Sequence, residues 1–140
     1  MTTGTEMAKS FGSAFGAGDT DTLAGLYHED AVQIHPMNPA GNQGRAGIAA
    51  FEGAMFSAFG DIDFEVLTVV EVGDTVAVEF RVAATNTGDM PAPTGEMVPA
   101  TNKRIEIRGA GFFRLDDDGL ILSEHRYFDT TGFMAQLGLA

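Results

Sequence analysis

The order of elements in the sequence predicts an α+β fold, with helices on one side of a curved antiparallel or mixed sheet. Apolar residues recur with helical spacing through most of the chain up to Phe59, whereas alternating strand patterns between turn signals dominate the rest. One long helix with an apolar face separates these two parts. A sheet wrapped over this helix forms a cone-shaped α+β barrel, open at one end, with three to four helices.

The N-terminal part of the chain contains three predicted helices and one short strand. The first helix covers Thr5–Phe15, where Met7, Phe11 and Phe15 recur at every fourth position. A second helix over Asp21–Tyr27 is followed by a strand over Ala31–His35, and 36–44 is predicted to be a turn-rich loop. The long central helix is predicted over Arg45–Phe59, with an apolar face formed by Ile48, Phe51, Met55 and Phe59.

The C-terminal part is predicted to form two hairpins and a closing helix. Its strands are predicted at Phe64–Val72, Thr75–Thr85, Arg104–Leu115 and Leu120–Phe128. The segment Asn86–Pro99 holds three of the five prolines and is predicted to be a long loop at the mouth of a site. A short helix over Thr131–Leu137, capped by Thr130, closes the chain.

Composition limits the classes of function. The 140 residues suit one domain, and the net charge of −12 disfavours binding to nucleic acid or to an anionic membrane surface. The chain has no cysteine, which excludes disulfides and thiolate chemistry. We expect no membrane span and a cytoplasmic protein, because no long apolar run or signal pattern is present.

The last strand carries a stripe of polar side chains. Alternate residues of a strand share a face, so Ser123, His125, Tyr127 and Asp129 are predicted to point the same way. This stripe either lies in solvent or lines a pocket. Asp129 itself either caps the following helix or acts as an acid/base.

A register for the second hairpin follows if residues 116–119 form its loop. The opposite pairs are then Glu106–Asp129, Arg108–Tyr127 and Ala110–His125. Arg108 and Tyr127 become candidate hydrogen-bond donors beside Asp129. His35 either lines the same pocket or bonds to the backbone, and no spacing of the histidines predicts a metal site.

Several segments together resemble the SnoaL-like polyketide cyclase branch of the nuclear-transport-factor-2-like (ketosteroid isomerase-like) superfamily. They are Leu26-Tyr-His-Glu-Asp30-Ala-Val, His35-Pro36, Gly44-Arg-Ala-Gly-Ile, the 99–109 block and Glu124-His125-Arg-Tyr-Phe-Asp129. The resemblance covers nearly the whole chain and implies a single domain over 1–140. Where family members usually carry Gly, this chain has Asn102, which tolerates the left-handed conformation. Where they often carry an aromatic residue it has Arg126, predicted to face away from the site.

The resemblance implies a cofactor-independent enzyme in which Asp129 is the general acid/base of an aldol closure or isomerisation on a hydrophobic carbonyl substrate. His35, Glu106, Arg108, His125 and Tyr127 are the predicted auxiliary residues of this pocket. A homodimer through the sheet is also implied. One alternative is a non-catalytic small-molecule binding protein of the same fold. Another is an epoxide hydrolase, which uses an Asp-Arg-Asp relay, for which Asp129 and Arg108 offer two members.

Overall fold

A computed structural model of the chain describes residues 3–92 and 94–139. The helices in this part are α1 (Gly4–Ala17), α2 (Thr20–Ala24), α3 (Gly44–Ala58) and α4 (Thr130–Gln136). The strands are β1 (Tyr27–His35), β2 (Asn38–Gln43), β3 (Phe59–Val72), β4 (Thr75–Asn86), β5 (Met90–Pro91), β6 (Met97–Val98), β7 (Arg104–Leu115) and β8 (Ile121–Phe128). No helix in the described ranges is both long enough and apolar enough to cross a membrane.

Six of the strands form one sheet in the order β2-β1-β8-β7-β4-β3. Strand β1 runs parallel to β8, and the other neighbours in this sheet are antiparallel. The sheet is therefore mixed and curves over the central helix α3, which packs against β1. This confirms the α+β fold predicted from the sequence.

The structure corrects two local predictions near the start of the sheet. Strand β1 already begins at Tyr27, which the sequence pattern placed at the end of a helix. Residues 38–43, predicted as loop, form β2 and pair antiparallel with β1, so that Gln33 lies opposite Asn42. The sequence pattern did not predict this strand, because its Asn, Pro and Gly residues are typical of turns. It lies at the edge of the sheet. Proline has no backbone N–H to donate, and an edge strand tolerates Pro39 because one of its sides has no neighbouring strand to bond to.

Two apolar clusters lie inside the curved sheet. One joins α1 to the sheet through Met7 and Phe11, as their spacing predicts. The other joins the end of α3 to α4 through Phe59 and Phe133, whose ring centroids lie 5.8 Å apart. The helical pattern assigned Phe59 to the apolar face of α3. In the structure Phe59 is the first residue of β3 and is buried there.

Asn86 holds both ends of the segment between β4 and β7. The Asn86 side-chain amide donates to the Ala58 and Gly88 carbonyls, and its oxygen accepts from the Thr101 backbone and hydroxyl. Asn102 has φ 59°, which confirms the left-handed conformation predicted for it. The β5–β6 pair lies within this segment.

Candidate active site

The second hairpin has a register two residues from the predicted one. Tyr127 lies opposite Ala110 and His125 lies opposite Phe112, with an irregularity next to Leu115. The reason is a longer loop, in which the Asp116 carboxylate accepts from the backbone of Asp118 and Leu120. A shift by two residues leaves each side chain on the same face.

That face, however, points outward, which corrects the orientation predicted for the polar stripe. Tyr127 is 56% exposed, and His125 is exposed as well. Asp129 is exposed and caps α4, since its carboxylate accepts from the Gly132 backbone at 3.0 Å. The cap is therefore Asp129 rather than Thr130. Asp129 is not among the residues that line the cavity described below, and its predicted role as acid/base remains a prediction.

The predicted partners on β7 also lie on the outer face. Glu106 and Arg108 are exposed. Glu106 pairs with Arg81 at 2.7 Å, so the predicted Glu106–Asp129 pair does not form. The side chains of β7 that line the cavity are instead Ile105 and Ile107. Of the predicted site residues, the structure places only His35 in the cavity within the described part of the chain.

The cavity lies between α1, α3 and the concave face of the sheet and has a volume of about 70 Å³. Its wall is apolar except for His35, Glu52 and Arg126. The apolar lining residues are Phe15, Met55, Phe56, Phe59, Ile62, Phe80, Val82, Ala84, Ile105, Ile107, Phe128 and Phe133. A wider outer groove of about 470 Å³ shares Phe56, Phe59 and Ile62 with it.

The segment predicted as the mouth does not reach this wall. None of the described residues of 86–99 lines the cavity. Met37 and Met90 are buried in the apolar cluster at α4, while Met97 is 59% exposed. The groove that adjoins the cavity is lined by the ends of α1 and α3 and the start of β3.

A buried chain of charges ends at the cavity wall. Arg126 Nε donates to Glu124 Oε2 at 2.7 Å, and Arg126 Nη1 lies 3.1 Å from Glu52 Oε1. All three residues are almost fully buried. The guanidinium carbon also lies 5.5 Å and 5.7 Å from the ring centroids of Phe11 and Phe15, within range of cation–π attraction. One buried cation thus contacts two buried carboxylates.

Neutral donors complete the environment of the two carboxylates. The Tyr27 hydroxyl donates to Glu124 Oε1. The Gln33 amide nitrogen donates to Glu52 Oε1 and to Glu124 Oε1, each at 3.1 Å. Burial and then the charge of Glu124 raise the pKa of Tyr27 well above its ordinary value, so the phenol keeps its proton.

Glu52 has the properties of an acid/base group. Both the Gln33 amide and the Arg126 guanidinium approach Oε1, while no hydrogen bond to Oε2 is found among the described residues. Burial raises the pKa of Glu52, Arg126 opposes that rise, and the charge of Glu124 adds to it. A carboxyl whose pKa is raised toward neutrality can both take and return a proton.

His35 presents a neutral N–H to the same cavity. Its Nδ1 accepts from the Met37 backbone at 3.0 Å, so the proton of the neutral ring is on Nε2. Burial, followed by the charge of Arg126, holds the pKa of His35 well below its ordinary value. Phe51 and Phe128 flank the ring at centroid distances of 4.6 and 5.6 Å. The ring is therefore a fixed, uncharged hydrogen-bond donor.

Replacing His35 by Asn is expected to flatten the acid dependence of stability. Below pH about 6.5, His35 binds a proton in the unfolded chain but not in the folded chain. The free energy of unfolding therefore decreases as the pH is lowered below that value. The slope approaches about 1.4 kcal/mol per pH unit. An Asn oxygen can still accept from Met37 as in an Asx turn.

Urea unfolding between pH 7.5 and 5 measures this effect. His28→Asn is the matched control, because His28 accepts from the Asp30 backbone in the same way but is not buried. An equal pH slope in wild type and His35→Asn contradicts the prediction.

Glu52, Glu124 and Gln33 were missed as site residues in the sequence. Glu52 lies four positions after Ile48 and three before Met55, so a carboxylate on the apolar face of the central helix was the available signal. Glu124 and Arg126 lie on the face of β8 opposite the polar stripe. Because both faces carry polar residues, the sequence pattern alone does not predict which face points inward. In the described residues, no group of three or more His, Asp or Glu side chains is arranged to hold a metal ion.

Comparisons with known proteins agree with this fold. IdmH from Streptomyces antibioticus, a candidate polyketide cyclase, has a similar structure with 26% identity and a TM-score of 0.76 over 96% of this chain and 98% of its own. TsrD from Streptomyces laurentii has 21% identity and a TM-score of 0.81 over 97% and 95%.

An LEH-like epoxide hydrolase of M. tuberculosis has 20% identity and a TM-score of 0.71 over 96% of this chain and 88% of its own. A comparison with curated protein sequences gave no significant match. The model of the SnoaL-like domain matches residues 8–124. The chain therefore belongs to the SnoaL-like domain family.

Proposed function

We propose that this protein is an enzyme that moves protons on a hydrophobic carbonyl compound, closing a ring by aldol addition or shifting a double bond. Glu52 is the general acid/base, and His35 with Arg126 stabilises the oxyanion. The observation that carries the proposal is that the buried carboxyl of Glu52, whose Oε2 accepts no hydrogen bond among the described residues, lines the same largely apolar cavity as the neutral His35 ring.

The chemistry balances with these groups alone. Ionised Glu52 takes a proton from the carbon next to a carbonyl, and the C–H electron pair becomes the enolate double bond. His35 Nε2–H donates to the oxygen that gains negative charge, and Arg126 supplies positive charge in the same wall. The enolate carbon then bonds to a second carbonyl of the substrate, whose oxygen takes the proton back from Glu52.

The family and the structural neighbours support this class of reaction. IdmH, which is 26% identical to this chain, is a candidate polyketide cyclase. The apolar wall suits the hydrocarbon part of such a substrate, since burying it is favourable by about 25 cal/mol per Å².

Hydrogen exchange tests the proposal without knowledge of the natural substrate. A panel of hydrophobic ketones and 1,3-diketones is incubated with the protein in D₂O, and loss of the α-proton signal is followed by NMR. We expect exchange above the buffer rate for at least one compound. Ligands that bind to the protein and show no catalysed exchange support a binding protein instead.

Asp129→Asn is expected to leave this exchange near the wild-type rate. Asn is as good a helix cap as Asp, so α4 keeps its first turn, and residue 129 does not line the cavity. The same assay checks the prediction, with circular dichroism as the control for folding. A loss of exchange comparable to that of a Glu52 variant would restore Asp129 as the acid/base.

Epoxide hydrolysis is the second candidate, because Glu52, Arg126 and Glu124 form a carboxylate–guanidinium–carboxylate chain like the relay expected of that class. An epoxide hydrolase of M. tuberculosis shares the fold. In H₂¹⁸O, ring opening of a hydrophobic epoxide by activated water places ¹⁸O in the diol. Labelled diol without ketone exchange favours this candidate over the first.

We also propose a homodimer through the outer face of the sheet. Phe112 and Tyr127 are 49% and 56% exposed there, with ring centroids 6.2 Å apart. Phe112→Glu should weaken self-association, as measured by sedimentation at two concentrations. Monomeric wild type at both concentrations would contradict the dimer.

A further inference from the structure

A row of three side-chain amides connects the edge of the sheet to the proposed acid/base. Asn38 Nδ2 donates to Asn42 Oδ1 at 2.7 Å, and Asn42 Nδ2 donates to Gln33 Oε1 at 2.7 Å. Gln33 Nε2 then donates to Glu52 and Glu124. The mechanism proposed above does not itself use these amides.

The row decides which way the Gln33 amide faces. Its oxygen is held by Asn42, so both N–H groups are directed at the two carboxylates. The reversed amide would place its oxygen against two acidic oxygens and would leave Asn42 Nδ2 facing a donor. Gln33 is fully buried, so no bulk water would offset that loss.

We infer that Gln33, oriented by Asn42, is a positioning residue that occupies Oε1 of Glu52 and thereby leaves Oε2 as the oxygen that exchanges the proton. This rests on the proposed function. With Gln33 and Arg126 both directed at Oε1, a proton on that oxygen would oppose two donors. Neutral Glu52 therefore carries its proton on Oε2, at the cavity.

The other titratable groups around Glu52 come from two strands. Tyr27 and His35 are on β1, and Glu124 and Arg126 are on β8. Among the influences on the pKa of Glu52, the hydrogen bond from Gln33 acts to lower it. Loss of this bond should therefore make Glu52 hold its proton to higher pH, whether or not a substrate is present.

Infrared titration of the protonated carboxyl band tests this inference. The band is assigned to Glu52 by its absence in Glu52→Gln. Gln33→Met keeps the length of the side chain and removes the donor, and we expect the pH midpoint of the Glu52 band to move upward. Gln136→Met is the matched control, because Gln136 bonds to the Glu106 backbone on the exposed surface. Its midpoint should equal that of wild type.

A second variant keeps the test decisive if Gln33→Met does not fold. Asn42→Leu leaves Gln33 in place but frees its amide, and the midpoint should again move upward. An unchanged midpoint in whichever of these variants folds overturns the inference. The result is separable from the proposed function, since a shifted midpoint with exchange that does not depend on Glu52 would overturn only the latter.

Discussion

Replacing Arg126 by Met is expected to lower the free energy of unfolding by about 3–5 kcal/mol, the usual cost of removing one partner from a buried ion pair. The substitution leaves the carboxylates of Glu52 and Glu124 in the same buried space without their cation. Both must then remain charged at a high desolvation cost or bind protons. Urea unfolding at neutral pH measures the loss.

Arg81→Met is the matched control for this prediction. Arg81 also contacts several carboxylates, including those of Asp63 and Glu106 at 2.7 Å, but these partners are mostly exposed to water. We expect a much smaller loss there, because solvent screens exposed pairs. Adding Glu52→Gln to Arg126→Met should recover part of the stability. Equal losses of stability in the two arginine variants would contradict the prediction that removing a buried cation costs more than removing one with exposed partners.

Replacing Glu52 by Gln is expected to slow catalysed α-proton exchange by about 10²–10⁴-fold, the usual contribution of a general acid/base. The fold should be retained, because the Gln oxygen can still accept from Gln33 and Arg126 at the position of Oε1. The loss should appear in the rate at saturating substrate rather than in binding, since the shape of the cavity is unchanged.

Stability provides an independent check on the same variant. Because burial raises the pKa of Glu52 in the folded chain, ionising it opposes folding. Its contribution to stability is fully present below the ordinary glutamate pKa and is lost as the pH rises through the folded value. The stability of Glu52→Gln relative to wild type should therefore increase with pH over that window. Wild-type exchange rates in this variant would overturn the proposed role.

Arg126 lies on the face of β8 opposite Tyr127, as strand alternation predicts, but that face points to the cavity. The pattern marked this position as a departure from the family and placed it away from the site. In the structure it is the cation at the cavity wall, whereas Asp129 serves as a helix cap. Both faces of β8 carry polar groups at alternate positions, so alternation alone is symmetric between them.

The sequence by itself determined the types of the main elements, the α+β cone and the left-handed turn at Asn102. These depend on periodicity and turn chemistry, which are encoded in neighbouring residues. Only the tertiary structure decided which face of β8 points inward and which carboxylate meets the cavity. The physical reason is that the sheet must curve over α3, and this brings together Gln33, Glu52 and Glu124 from distant parts of the chain. A local sequence pattern cannot predict these contacts, because the charged groups become buried, and therefore must pair, only when the strands close around α3.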